Sequence, residues 1–246
     1  MEPLPDLADF ARLLLEHSEA LLRGDADPGP TDLEALYPEE LALPAVRRLH
    51  EYFLARDPFA DFLADLPAGA GSGDGSTYGQ TALPAAARLL RRVGMGPEDR
   101  LLDLGCGCGA VVLLAAALGT PSTGVDRVRA GLDFGRRAAG ELGIPGARFE
   151  ERDMLEVDLE GFSVLFVAAT AFPEDLCAAL EARLQGARPG TRIVSASRPF
   201  QEGRLRPLGH EICRFSWTGY GPAGPVIFYL SEVSGAGQGG DDHADP

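Results

Sequence analysis

Residues 101–109 read Leu-Leu-Asp-Leu-Gly-Cys-Gly-Cys-Gly, a short apolar run that carries an acid and then breaks into glycine at every second position. The nine residues that follow, Ala110–Leu118, include no polar side chain. An apolar run, a glycine turn and a second apolar stretch of helical length describe a buried parallel strand that feeds a helix through a tight loop. Gly105, Gly107 and Gly109 carry no side-chain bulk, so a ligand can lie against bare backbone beside the helix start. Asp103 selects the charge of that ligand, because a carboxylate at the loop repels a diphosphate and attracts an ammonium group.

The pattern continues from this loop in both directions. Apolar periodicity predicts helices over 82–93, 110–118, 129–142 and 173–185, and strands over 100–104, 122–126, 147–150, 162–168 and 190–197. Such alternation implies an α/β fold, a Rossmann-like, doubly wound and mostly parallel sheet with helices on both faces. Residues 205–217 and 225–233 have no helix between them and read as an antiparallel C-terminal hairpin that closes the sheet edge, with a turn at Gly219–Gly224. Ahead of the sheet, residues 1–67 are expected to form an N-terminal helical cap. Leu7, Phe10, Leu14 and Leu21 mark a first helix, Thr31 and Glu34 a capping box, and Pro44 a helix running toward Phe62 and Leu63. Residues 68–81 follow as a glycine-rich flexible hinge and covering loop, 82–233 as the main domain, and 234–246 as a disordered, acidic tail.

Charge removes several classes of function. The chain of 246 residues holds 37 acids against 22 basic residues, a net −15, and every basic residue is arginine. No lysine is present to act as a base or Schiff-base nucleophile, and the field opposes nucleic acid and anionic membrane. Four cysteines without paired spacing fit a reducing, cytoplasmic setting, and Cys106 and Cys108 lack the partners of a metal site, so no metal is expected. The sequence has no basic-then-apolar leader and no apolar run long enough to span a bilayer. Oligomeric state is not legible.

Two ligands fit the glycine loop formally. Gly105, Gly107 and Ala110 satisfy the dinucleotide pattern, and Asp126 follows at about the 20-residue spacing of a ribose-binding acid. Asp103 and the third glycine, Gly109, favour S-adenosyl-L-methionine, whose amino-acid end carries the ammonium group. In an open parallel sheet ligands lie beyond the carboxyl ends of the strands, where Asp103, Asp126 and Asp153 each fall. Asp126 is placed for the ribose hydroxyls, with Arg127 beside it, Asp153 for the adenine amino group, and Met154 for the ring face. Cys106 within the loop and Ala168 at the end of the fourth main strand complete the expected donor site.

From Tyr78 to about Glu232 the chain resembles the non-SET histone-lysine methyltransferases of the disruptor-of-telomeric-silencing type. The matching segments are Thr77-Tyr78-Gly79-Gln80-Thr81, the glycine loop, Asp126, Asp153, Val164–Val167 with Ala171-Phe172, Gly190–Ser195, and Ser216-Trp217-Thr218-Gly219. The resemblance implies a class I S-adenosylmethionine-dependent methyltransferase, with Tyr78 and Thr81 covering the donor and Tyr78, Thr170, Trp217 and Tyr220 near the acceptor. It also marks departures. The family's lysine-positioning asparagine is replaced within Ala168-Ala169-Thr170, the family's channel hydroxyl aligns with Phe228, and its basic extension has no counterpart in this acidic chain. The expected acceptor is therefore a small molecule or a non-chromatin protein. The alternatives are a protein lysine, or no acceptor at all in a donor-binding scaffold.

Overall fold

The computed structural model describes residues 33–56, 58, 79–201, 203–216 and 224–235. The expected helix over 4–23, Thr31, the glycine-rich run 68–76, Tyr78, Trp217, Tyr220, most of the hairpin turn and the tail beyond 235 lie outside them. The chain divides into two units between Pro38 and Glu39; the described part of the first is residues 33–38, with the single turn α1 (Leu33–Leu36).

From Glu39 the second unit holds the rest of α2 (Pro38–Leu41) and all of α3 (Pro44–Ala55), so α3 shares a unit with the sheet. Pro44 begins α3 because proline suits the first turn, where its missing N–H has no helical acceptor. The helix buries Val46, Leu49, Tyr52 and Phe53, and Tyr52 and Phe53 meet Phe134 edge to face. Glu40 is buried and receives Arg88 Nη2 at 2.9 Å and Arg91 Nη2 at 2.6 Å. Burial raises its pKa, but the hydrogen bond and charge of Arg88, with the charge of Arg91, hold it below the usual carboxylate value.

Eight strands form one sheet: β1 (Gln80–Thr81), β2 (Leu101–Leu104), β3 (Ser122–Asp126), β4 (Ala147–Glu151), β5 (Val164–Val167), β6 (Arg192–Ala196), β7 (Leu205–Ser216) and β8 (Gly224–Val233). Their spatial order is β1-β7-β8-β6-β5-β2-β3-β4. The five strands β6, β5, β2, β3 and β4 run parallel, and β8, β7 and β1 add antiparallel pairs at one edge. This is the mostly parallel sheet with a closing hairpin that the sequence implies. The four predicted helices of the main domain are α4 (Leu83–Arg92), α5 (Ala110–Ala117), α6 (Arg129–Leu142) and α7 (Glu174–Leu184). α5 packs on β2, β3 and β4 and touches α4 and α6. Residues paired across neighbouring strands share a face, so Asp103, Phe166 and Phe228 lie together on one side, while Leu104, Val167 and Ile193 meet Cys177, Leu180 and Leu184 of α7 on the other.

One contact fixes the helices against the sheet edge. Phe149 of β4 fills the space a methyl group would need at both Gly109, within 2.2 Å, and Gly135, within 2.6 Å. The glycine before α5 and the glycine within α6 thus make room for one ring. On helix propensity alone Gly135→Ala would stabilise the chain by about 1 kcal/mol. Overpacking against Phe149 costs about 1–3 kcal/mol, so we expect a net loss in urea unfolding. The sign should reverse in a Phe149→Ala background, where the same substitution becomes stabilising.

Candidate functional site

Strand order reverses at β2: β3 and β4 extend to one side, β5 and β6 to the other. The loops leaving the carboxyl ends of β2 and β5 therefore part in opposite directions and open a crevice between them. The cleft found there is lined by Gln80, Thr81, Asp103, Gly105, Cys106, Phe166 and Ala168, together with Gly79 and the start of α5.

The glycine loop is held by its neighbour strand. Gly105 N and Cys106 N both donate to Val125 O, at 2.9 and 3.0 Å, and Gly107 N donates to Asp126 Oδ2 at 2.8 Å. Asp126 Oδ1 accepts from Val128 N at 2.9 Å. A carboxylate has about four lone-pair sites, so these bonds leave Asp126 with capacity for further donors. Gly107 and Gly109 take φ of 53° and 77°, the left-handed region that a side chain disfavours. Arg127 is exposed, and its backbone N–H also serves Asp126.

The space over Gly105 differs from the expectation of bare backbone. Met154 Cε and Phe172 Cζ each lie 3.2 Å from where a methyl group on Gly105 would sit. Both are half-buried against the core under α7. Gly105 and Gly109 thus each make room for a neighbouring side chain, and Gly105 also lines the cleft. Asp153 caps the 3-10 turn Met154–Glu156, accepting from Leu155 N at 2.9 Å. Ala168 lines the cleft and begins the 3-10 turn Ala169–Ala171, which holds Thr170 half-buried outside the lining. Phe228 is fully buried in a stack with Phe166 and Phe215.

Asp103 dominates the electrostatics. Its side chain is buried, and burial, with the charge of Asp126 adding to it, pushes its pKa up to about 8. Burial pushes the Cys106 thiol well above its usual value, with Asp103 and Asp126 adding to the effect. Asp126 is raised too, by burial, against the lowering pull of the N–H groups of Val128, Gly107 and Arg127. The cleft thus presents a protonated acid and a protonated thiol, and a cation entering it would restore the charge on Asp103.

Sequence reading placed Thr81 in a loop and gave Gln80 no role of its own. The structure makes Gln80–Thr81 a two-residue strand on β7, Gln80 opposite Ser216 and Thr81 opposite Phe215. Both amide atoms of Gln80 and the hydroxyl of Thr81 are buried without a hydrogen-bond partner among the described residues. Each such group costs about 1–3 kcal/mol when left unpaired. The detectable signal was a polar pair directly before the apolar Ala82–Leu83. Among the described residues, no cluster of His, Cys, Asp and Glu could hold a metal, and no helix is long and apolar enough to cross a membrane.

Residues 96–213 match the family model described as a methyltransferase domain. A protein-L-isoaspartate O-methyltransferase of Methylorubrum extorquens (strain PA1) is 25% identical over 90% of this chain and 89% of its own length. A second, of Methylorubrum populi, is 23% identical over 95% of this chain and 100% of its own. Among solved structures, an RNA methyltransferase from Salinibacter ruber in complex with S-adenosyl-L-homocysteine shares the fold at a TM-score of 0.52, with 20% identity, over 66% of this chain and 97% of its own.

The raised pKa of Asp103 has a signed effect on stability. The unfolded chain releases this proton near 3.8 and the folded chain near 8, so the contribution is full below the lower value and is lost as pH rises through the upper. In the ligand-free protein Asp103→Asn should flatten the fall of the melting temperature between pH 6 and pH 9. A wild-type profile no steeper than the variant's would contradict this assignment.

Proposed function

We propose that this S-adenosylmethionine-dependent methyltransferase, built on the class I fold, esterifies a carboxylate of a polypeptide, of the L-isoaspartyl kind for which its two Methylorubrum relatives are named. The observation that carries the reading is the buried, unpartnered pair of Gln80 and Thr81. Both residues line the cleft, and an amide N–H and a hydroxyl are each hydrogen-bond donors for a carboxylate. A carboxylate is also ionised near neutral pH and attacks without a general base. Asp103 is committed to the donor's ammonium group in this reading and burial pushes the Cys106 thiol well up, so neither offers a general base, which suits an acceptor that needs none.

Bound S-adenosylmethionine supplies a methyl group on a positive sulfonium that a nucleophile displaces in line. In the arrangement we favour, Asp103 pairs with the donor's ammonium group and gives up its proton on binding. Asp126 takes the ribose hydroxyls on its remaining lone pairs while steadying Gly107, and Asp153 with Met154 meets the adenine. Ala168, Cys106 and the Tyr78–Thr81 segment border the methionine end. Gln80 and Thr81 hold the acceptor carboxylate so that one oxygen faces the methyl carbon. The new O–CH3 bond forms as the C–S bond breaks, and its electron pair stays on sulfur. Ala168-Ala169-Thr170 holds no amide to steer an amine, and the net charge of −15 argues against nucleic acid as acceptor.

Labelled methyl transfer tests this directly. An isoaspartyl peptide should accept methyl as a base-labile ester, and the aspartyl and lysyl forms of the same peptide should not. Base-stable transfer to lysine would replace this reading with the lysine one. Asp126→Ala should weaken S-adenosylhomocysteine by about 1–3 kcal/mol in calorimetry. Gln80→Met removes two unpaired buried atoms. We expect that variant to melt no lower than wild type while losing about tenfold or more in turnover.

A further inference from the structure

At the carboxyl end of β6 the chain turns through Ser197 at φ 63°, the one described residue other than glycine with positive φ. Such a conformation persists only where its surroundings determine it. Three bonds do so here. Ser197 N donates to Ile227 O at 2.8 Å, Ser195 Oγ donates to Arg198 O, and Phe200 N donates to Arg198 O at 3.2 Å. Phe200 is buried, so the turn is anchored from beneath.

The turn aims Arg198. Its two terminal nitrogens fork onto the carboxylate of Glu174, the first residue of α7, one arm at 3.0 Å. The guanidinium also lies beside Cys177, whose thiol donates to Phe172 O at 3.7 Å. The Phe172 ring in turn packs on Gly105. Arg198 therefore stands two side chains from the donor loop, just beyond the carboxyl end of β6, the end of the sheet at which ligands of open parallel sheets lie. Its partner is loosely committed, because the Glu174 side chain is 79% exposed against 34% for Arg198. An ion pair in that setting contributes little to stability and is exchangeable. An anionic acceptor meets a chain of net charge −15, and a cation fixed at the rim offsets that repulsion locally.

We propose that Arg198 is a specificity residue of the acceptor site, which exchanges Glu174 for an acidic side chain flanking the methylated residue of the acceptor. The inference rests on the polypeptide acceptor argued above. The guanidinium fork matches a carboxylate with two parallel hydrogen bonds, which an amide or a lysine ammonium cannot provide.

The test uses the full chain and three isoaspartyl peptides that differ only in carrying Glu, Gln or Lys beside the isoaspartyl residue, with KM and kcat measured for each. Arg198→Gln should raise KM for the Glu-flanked peptide about fivefold and leave the Gln-flanked peptide within twofold. Glu174→Gln should move KM for the Glu-flanked peptide the other way, because it frees the guanidinium. Peptide binding in the presence of S-adenosylhomocysteine, read by fluorescence anisotropy, should follow the same opposite signs. A pair that merely braces α7 would give both variants the same sign on all three peptides, and that result overturns the proposal. Preference of the wild type for the Lys-flanked peptide, lost in Glu174→Gln, would overturn it as well. No transfer to any isoaspartyl peptide would overturn the acceptor reading itself, and this inference with it.

Discussion

Strand β2 has a parallel neighbour on each side, and the cleft follows from that one constraint. A parallel connection must cross over the sheet, and its hand is fixed, so the chain leaving β2 and the chain leaving β5 cannot cover the same ground. The gap between them is where Asp103, the start of the glycine loop and Ala168 after β5 come together. Asp103 is the costly element of this arrangement. It sits in a central strand, buried, with a second acid nearby and no cation beside it among the described residues. In the proposed reaction that cost is offset when the donor's ammonium group pairs with Asp103.

The helices and long strands were legible because each has a pattern of its own length. The apolar runs 101–104 and 164–167 declare buried parallel strands, and the small apolar face of α5 declares a helix pressed on the sheet. β1 was not legible. Two residues carry no periodicity, and Gln80–Thr81 becomes a strand only because β7 offers it an edge at Phe215 and Ser216. The acids of the site could be read from their position after strands. What filled the space above each glycine could not, since Phe149, Met154 and Phe172 reach Gly109 and Gly105 from segments far along the chain.

The same distinction separates the two halves of the proposed reaction. The donor half is written in a contiguous glycine loop and in acids at or after successive strands, and a sequence pattern finds it. The acceptor half is assembled from side chains with no common motif: Gln80 and Thr81 from the sheet edge, Ala168 after β5, and Arg198 after β6. Such residues show themselves through unmet hydrogen bonds and an unusual backbone angle, which are properties of the fold and not of the string.

The short β1 has a consequence for how copies of this chain meet one another. It covers β7 only at its end, so β7 from Leu205 to about Cys213 is the outer strand of the sheet among the described residues. A bare outer strand invites edge-to-edge stacking into aggregates. Here Pro207 lacks a donor, the register slips between Pro207 and Gly209, and Arg206 and Glu211 place charge along the same stretch. Each interrupts the regular ladder a second strand would need. The molecule thus leaves an edge open beside the short β1 and guards it with irregularity in place of coverage.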